Sequence, residues 1–222
     1  MGGPNKNGPM GCPCCAGPRP WDAALRGRGG LRDRLFARLM RGGAAKYNQL
    51  LGERKRALFS EIGWGADGLR ITGVDPNPAM APYARESLAA AGLASGNVAL
   101  LQGVAESLPV ADESQDAVIC TLVLCSVVSQ ERALSEARRV LRRGGKLLFM
   151  EHVAAPYGSL TRRLQDLWNP AQLWLAECNC NRQTWEALET AGFASLRVER
   201  VQATSNPLCA LIAPHIAGVA VK

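Results

Sequence analysis

The pattern of apolar and polar positions predicts strands and helices in regular succession along most of the chain. Short apolar runs bounded by turn residues predict strands at residues 69–75, 98–102, 117–122, 146–151, 196–201 and 216–221. Apolar residues at helical spacing between these runs predict helices at residues 79–91, 131–141 and 184–191. Because strands and helices alternate, we expect an α/β fold with a doubly wound, mostly parallel sheet, whose last strands form an antiparallel edge.

The first part of the chain has a different pattern. Residues 1–30 are rich in Gly, Pro and Arg, and we expect them to form a disordered arm. Residues 31–41 have apolar residues at helical spacing with arginines between them, which predicts a short basic amphipathic helix. Residues 46–62 predict a second helix. The expected organisation is an arm at 1–30, a helix and linker at 31–45, and one α/β domain at 46–222.

Charge separates this first part from the rest of the chain. Residues 1–56 hold 12 Lys and Arg against 3 Asp and Glu, whereas the remaining residues hold 14 against 16. A slightly acidic body is unlike a nucleic-acid enzyme, so we expect no nucleic-acid partner. Two interpretations of residues 31–41 stay open: packing on the domain, or contact with an anionic membrane surface. No apolar run reaches the roughly 18 residues of a membrane span, so the sequence predicts no transmembrane helix.

The cysteines predict reduced thiols, with no disulfide framework and no metal. Of the eight cysteines, Cys120 and Cys125 lie in an apolar run and are expected to be small buried thiols. Since no secretory signal precedes them, we expect a reducing compartment. The cluster of Cys12, Cys14 and Cys15 has ligand chemistry, but it lacks a second cysteine pair and lies among Gly and Pro, so a mobile tail is favoured over a metal site.

Candidate ligand-binding residues follow the first two predicted strands of the body. In a doubly wound sheet, ligands bind at the carboxyl ends of the strands, and an acid there can accept hydrogen bonds from a ribose diol. Asp75 ends the first of these strands, although an Asp before Pro76 is also typical of a turn. Residues 103–109 follow the next strand and form a loop that can present backbone N–H groups to an adenine edge.

Several motifs together resemble the small class I S-adenosylmethionine-dependent methyltransferases. They are Asp75 after a strand, Gly-x-Ala-Glu-x-Leu-Pro at 103–109, Ser-x-Asp-Ala-Val at 114–118 and Arg-Arg-Val-Leu-Arg-Arg-Gly-Gly-Lys-Leu-Leu-Phe at 138–149. Longer strings resemble more closely the methyltransferase-like protein seven family, which are alkyl-thiol S-methyltransferases of the endoplasmic reticulum and lipid droplets. These strings lie at residues 120–127, 149–155, 178–179 and 214–222. The resemblance runs from about residue 46 to residue 222.

This resemblance implies a Rossmann-like fold, S-adenosylmethionine as cofactor and a small-molecule thiol as methyl acceptor. We also expect a monomer. It implies that the cofactor is bound by Glu61, Gly63, Gly65, Asp75, Ala105, Glu106, Cys120 and Thr121. By position, Asp75 holds the ribose, Ala105 and Glu106 flank the adenine, and Cys120 and Thr121 lie against the methionine portion. The family also implies the surface of the endoplasmic reticulum or of lipid droplets; without the family's apolar N-terminal anchor, we expect the cytoplasm.

A thiol acceptor must lose its proton, so a nearby base is useful. His152, at the carboxyl end of a predicted strand, is the first candidate, and His215 is the second. For both residues, a hydrogen-bonded structural histidine stays open as the other interpretation.

The chain is too short around residues 61–75 to contain the family's complete glycine-rich unit. That unit is a strand, an acid-x-Gly-x-Gly-x-Gly turn and a helix whose amino end faces the cofactor. Residues 61–65 match the opening of the turn, but residues 54–60 predict a helix and only six residues separate Gly68 from Asp75. A parallel crossover needs about a dozen residues, so we expect one β-α unit to be absent. Two explanations stay open: a shortened chain, or a diverged, catalytically inactive protein that acts in binding or at a membrane surface.

Overall fold

Two separate sheets form the framework of the computed structural model, which describes residues 25–26, 28–63, 68–93, 95–203 and 207–222. The smaller sheet pairs β1 (Ile71–Asp75) with β2 (Val98–Gln102) in parallel. The larger sheet has the order β3-β4-β6-β5, with β3 (Gln115–Thr121), β4 (Leu141–His152), β5 (Ser195–Gln202) and β6 (Pro214–Val221). Strands β3 and β4 are parallel, and β6 is antiparallel to both of its neighbours. The predicted antiparallel edge is therefore confirmed.

No strand of the described residues joins the two sheets. A long helix, α1 (Leu31–Ser60), precedes β1, and the short connection between them contains no strand in its described part. A continuous doubly wound sheet would need one more strand at this junction, between β1 and β3. The split agrees with the β-α unit that the sequence predicts to be absent.

The predicted break between two N-terminal helices is wrong, because α1 is continuous through Gly42 and Gly43. A glycine inside a helix costs only about 1 kcal/mol relative to alanine. Burial of apolar side chains in both halves of the helix offsets this cost. Ala37, before the glycines, is fully buried, and Leu51 and Leu58, after them, are also buried. The prediction of a disordered arm falls mainly on residues that the structure does not describe.

The described residues form four further α-helices, which cover the sheets: α2 (Ala81–Ala90), α3 (Gln130–Val140), α4 (Leu160–Ala176) and α5 (Thr184–Thr190). The sequence pattern did not predict α4. Pro170 lies inside this helix, and many of its apolar residues face solvent rather than the core, so its spacing does not show a single buried face. No helix among the described residues has the length and hydropathy needed to cross a membrane.

The core lies on both faces of β4, whose side chains alternate between two sets of partners. Leu147 and Phe149 belong to a cluster that includes Leu134 of α3 and Leu188 of α5. On the other face, Leu148 packs with Leu58 of α1, and Met150 packs with Leu51 of the same helix. Helices on both faces fix the end of β4 in place, and the candidate site lies at that end.

Candidate functional site

A fully buried carboxylate shapes the loop that follows β3. Glu151 of β4 accepts hydrogen bonds from the backbone N–H groups of Val123 at 3.0 Å and Cys125 at 3.3 Å. Burial raises the pKa of Glu151 to about 7, and the donated backbone hydrogen bonds oppose that rise. Glu151 therefore fixes the loop that carries Cys125 against the carboxyl end of β4.

The backbone bends sharply where β3 ends. Leu122 has φ of +57°, in the left-handed region that residues with a Cβ rarely adopt. Its N–H donates to the carbonyl of Met150 at 3.0 Å, which holds the bend against β4. Strained backbone of this kind concentrates at functional sites. Here it turns the chain from the strand into the loop with Cys125.

Three potential ligand or acid–base groups meet beside this loop. They are Cys125 from the loop after β3, His152 at the end of β4, and Cys178 just beyond α4. Their ligand atoms all lie within 4.8 Å of one another, and His152 Nδ1 is 3.4 Å from Cys178 Sγ. The backbone N–H of Asn179 donates to the carbonyl of Cys125 at 2.9 Å, which ties the two cysteine segments together. We call these three residues the Cys-His-Cys cluster.

The pKa values of the two thiols in the cluster are shifted in opposite directions. The hydrogen bond from Cys125 lowers the pKa of Cys178, and the hydrogen bond and charge of His152 lower it further. The same hydrogen bond, together with burial, raises the pKa of Cys125. Cys178, between a thiol and an imidazole, is therefore the more acidic of the two thiols.

His215 lies behind the cluster rather than in it. Its side chain is 2% exposed, and its ring centroid is 4.4 Å from that of His152. Burial, and then the charge of His152, lower its pKa to about 4, so it is neutral near pH 7. Its Nδ1 lies 2.9 Å from the carbonyl oxygen of Ala213, which requires the proton on Nδ1. Its Nε2 is buried without a hydrogen-bond partner among the described residues.

A cleft of about 660 Å³ borders the smaller sheet. Met40 and Arg41 of α1, Tyr83 of α2 and the strand ends at Asp75 and Gln102 contribute to its walls. Asp75 and Gln102 are register partners at the carboxyl ends of β1 and β2. The predicted placement of Asp75 at the end of a strand is confirmed; the residue as a whole is exposed, while partial burial of its carboxylate raises its pKa.

The loop after β2 contacts the end of β1 closely. The N–H of Gly103 donates to the carbonyl of Asp75 at 3.2 Å. A Cβ at Gly103 would lie 2.9 Å from Val74 Cγ1 and 3.0 Å from Pro109 Cδ, so glycine is required for this approach. The side chain of Asp75 also caps its own turn, because Oδ1 accepts from the N–H of Asn77 at 2.7 Å. Both interpretations of Asp75, turn former and ligand contact, are thus compatible with its geometry.

A chain of polar contacts connects the Asp75 turn to the Cys-His-Cys cluster. Asn77 Nδ2 donates to the carbonyl of Asp33 at 3.1 Å, and Arg28 pairs with the Asp33 carboxylate at 2.9 Å. The same guanidinium donates two hydrogen bonds to Glu177, at 3.0 and 3.1 Å, directly before Cys178. The start of α1 therefore links the end of β1 with the segment that carries Cys178.

Four other predicted cofactor residues are more buried than Asp75. Cys120 is buried in the core cluster and Ala105 packs against it, while Thr121 is partly buried at the end of β3. The Glu106 carboxylate is buried and accepts from the N–H groups of Val128 and Ser129 at 2.6 and 3.3 Å. The Glu106 side chain thus holds the start of α3, and only its backbone remains for an adenine contact.

Glu61 and Gly63 do not open a strand-to-helix turn, because both follow the end of α1 rather than a strand. Glu61 forms an ion pair with Arg197, and its carbonyl accepts from Lys146. Both partners lie toward the opposite end of the larger sheet from His152. The match of these residues to a strand-to-helix turn is therefore corrected, and Gly65 lies outside the described residues.

Sequence reasoning missed Cys125, Cys178 and Glu151 as members of one site. All three lie in the strings that carry the family resemblance, which was the available signal. They come from three distant segments with no metal-type spacing, so only the fold brings them together.

Comparisons with known proteins agree with this architecture. A family model described as a methyltransferase domain matches residues 57–149. The human thiol S-methyltransferase TMT1A is 38% identical over 201 residues, covering 79% of this chain and 81% of that protein. Human TMT1B is 37% identical over 212 residues, covering 84% and 86%. A solved SAM-dependent methyltransferase from Thermotoga maritima shares the fold, with a TM-score of 0.53 and 21% identity over 84% of this chain and 98% of that one.

Proposed function

Since the chain belongs to the family of the thiol S-methyltransferases TMT1A and TMT1B, we propose that it methylates the sulfur of small alkyl thiols. Family membership makes it a methyltransferase with a Rossmann-like fold and S-adenosylmethionine as cofactor. The observation that carries the choice of a thiol acceptor is the Cys-His-Cys cluster at the carboxyl ends of β3 and β4, where folds of this class bind ligands. The alternative of a catalytically inactive binding protein has no support from these relatives.

The described residues fit the adenosine half of the cofactor. Asp75 presents its carboxylate at a strand end, beside a cleft whose volume lies within the range of about 300–1,000 Å³ typical of small-molecule sites. We assign the ribose to Asp75 and the adenine to the backbone of Ala105 and Glu106. No glycine-rich turn follows a strand within residues 28–63 and 68–93. We therefore propose that contacts to adenosine supply most of the cofactor affinity, with Cys120 and Thr121 lying against the methionine portion.

The cofactor supplies a methyl group bound to a positively charged sulfur. The protein must align the acceptor sulfur with that methyl, exclude water and take up the proton of the thiol. His152 is partly exposed, whereas His215 is only 2% exposed. We therefore assign thiol deprotonation to the Cys-His-Cys cluster through His152, and a packing role to His215.

Purified protein is expected to transfer methyl groups to a simple alkyl thiol such as ethanethiol, with saturable dependence on S-adenosylmethionine. Asp75→Ala is expected to raise the KM for the cofactor at least tenfold, because hydrogen bonds to a charged group contribute about 1.5–3 kcal/mol. Asp116→Ala is the matched control, since it removes an exposed aspartate at the amino end of β3, whereas the proposed cofactor site lies at the carboxyl ends of the strands. Absence of both methyl transfer and calorimetric cofactor binding would refute the proposed function.

We also propose peripheral membrane contact through α1, residues 31–41. The side chains of Leu31, Leu35 and Leu39 are exposed by 77%, 58% and 64%, between arginines. Trp174 of α4 adds a 72% exposed indole, and Arg32 joins the two helices by donating to its carbonyl. Exposed leucines beside arginines and an indole suit the interface of an anionic membrane. Family resemblance points to the endoplasmic reticulum or lipid droplets as that membrane.

The full chain is expected to sediment with phosphatidylserine-containing vesicles and to be released by salt, because arginines supply part of the attraction. The combined change of Leu35→Ser, Leu39→Ser and Trp174→Ser should reduce the bound fraction at least fivefold. Val128→Ser is the control, since Val128 is 55% exposed elsewhere on the surface. Equal binding of the triple variant and the control would show that this face does not contact membranes.

A further inference from the structure

The Cys-His-Cys cluster has the ligand chemistry and spacing of a soft metal site. In a tetrahedral zinc site, metal–ligand distances of about 2.3 Å to sulfur and 2.0–2.1 Å to nitrogen place the ligand atoms roughly 3.5–3.8 Å apart. Here His152 Nδ1 and Cys178 Sγ are 3.4 Å apart, and all three ligand atoms lie within 4.8 Å of one another. Small rotations of the side chains would bring the set to coordination distance.

The cluster also concentrates the electron pairs that a cation would take. Cys125, His152 and Cys178 each direct one ligand atom into the same small volume, and Cys178 Sγ lies 3.4 Å from His152 Nδ1. A divalent cation binds cysteine in its deprotonated form and histidine in its neutral form, so its binding here would release the thiol protons. Sulfur ligands select zinc-like or other soft cations over magnesium or calcium.

The backbone around the cluster is fixed independently of any ion. Glu151 holds the N–H of Cys125, and Asn179 holds the Cys125 carbonyl. Arg182 donates to the carbonyls of Leu124 and Val127 at 3.0 and 2.6 Å, which fixes the same loop from its other side. Preorganised ligands of this kind reduce the conformational entropy that a cation must overcome on binding.

We propose that Cys125, His152 and Cys178 bind one zinc-class cation and leave its fourth position open to the thiol acceptor. The remaining buried cysteine nearby, Cys180, has Sγ directed at Asn169 Oδ1 at 3.9 Å and is not part of the set. Three protein ligands with an open position characterise catalytic rather than structural zinc. With the cation bound, His152 is a ligand and no longer the base; coordination then holds the acceptor as a thiolate, and the acceptor's proton leaves to solvent. Cation binding stands alone, whereas the use of the open position rests on the proposed function.

The test is a titration of the full chain with Co²⁺ alone, after replacing Cys12, Cys14 and Cys15 with serine to remove competing thiols. We expect one equivalent to bind with a thiolate-to-cobalt charge-transfer band, and Zn²⁺ to displace it. Cys125→Ser and Cys178→Ser should each weaken binding at least tenfold and diminish the band, while Cys180→Ala should leave both unchanged. Circular dichroism checks that each variant is folded. Binding that persists in both serine variants, or no binding by the starting protein, overturns the metal site.

A second titration separates this inference from the proposed function. Adding ethanethiol to the cobalt-loaded protein is expected to shift the charge-transfer band, because a new thiolate enters the open position. Cobalt binding without that shift and without methyl transfer would retain the metal site and overturn the thiol function. Methyl transfer at full rate by protein that contains no metal and binds none would overturn the metal site and retain the function.

Discussion

Glu151→Ala is expected to lower the free energy of unfolding by about 2–6 kcal/mol at neutral pH. The buried carboxylate accepts from the backbone of Val123 and Cys125, and each buried donor left without a partner costs about 1–3 kcal/mol. The loop that carries Cys125 would also lose its anchor to β4, so the Cys-His-Cys cluster should disperse. Urea unfolding measures the first effect, and loss of cobalt binding measures the second.

The matched variant Glu151→Gln keeps an acceptor oxygen and should lose less stability than the alanine variant. It also tests the ionisation of Glu151. Burial raises the pKa of Glu151 from its ordinary value of 4.5 to about 7, so folding favours the protonated form. The stability that this proton provides is complete below pH 4.5 and is lost as pH rises through 7, by about 3 kcal/mol in all. The glutamine variant should lack this decline, and a flat profile in the parent protein would contradict the assignment.

Gly218→Ala is expected to cost about 3–5 kcal/mol or to prevent folding. A Cβ at Gly218 of β6 would lie 1.9 Å from the carbonyl oxygen of Arg197 and 2.7 Å from Phe149 Cζ. The first of these neighbours is backbone of the adjacent strand, which cannot retreat without breaking the β5–β6 ladder. Forced overpacking of a core usually costs about 1–3 kcal/mol, and contact with backbone leaves less room for relaxation.

Gly52→Ala is the comparison for this variant. Gly52 lies in α1, and a methyl group added there would meet no neighbouring atom within 4 Å, so alanine should stabilise the helix by up to about 1 kcal/mol. The midpoints of urea unfolding should therefore move in opposite directions for the two alanine variants. Equal midpoints would show that the close approach at Gly218 is not rigid.

Most strands could be predicted from the sequence, because a buried strand appears there as a short apolar run bounded by turn residues. Residues 98–102 form a short, mostly apolar run bounded by turn residues, and the structure has β2 at Val98–Gln102. The absent β-α unit was also predictable, since chain length alone forbids a crossover before Asp75. The continuity of α1 was not, because Gly42 and Gly43 indicate a break while tertiary packing of both halves determines the outcome.

The candidate site was predictable only where a residue's function depends on its own strand. Asp75 and His152 each end a strand, and the rule that ligands bind at carboxyl ends identifies them. Cys125 and Cys178 depend on how distant segments pack, and nothing in their spacing indicates that they meet. The burial of Glu106 and Glu151 likewise depends on which backbone amides approach their carboxylates, which a pattern of residue types does not specify.

The absence of hydrogen bonds between the two sheets of the described residues has a consequence for cooperativity. The ladder of β1 and β2 ends at its own edges, so this pair can open without disrupting the ladder from β3 to β5. Amide protons of Ile71–Asp75 should then exchange with solvent sooner than those of β4, as in a protein with two foldons of unequal stability. A cofactor whose nucleoside binds at the first foldon and whose methyl group reacts at the second would contact both. Its binding would therefore make the two foldons open together rather than separately.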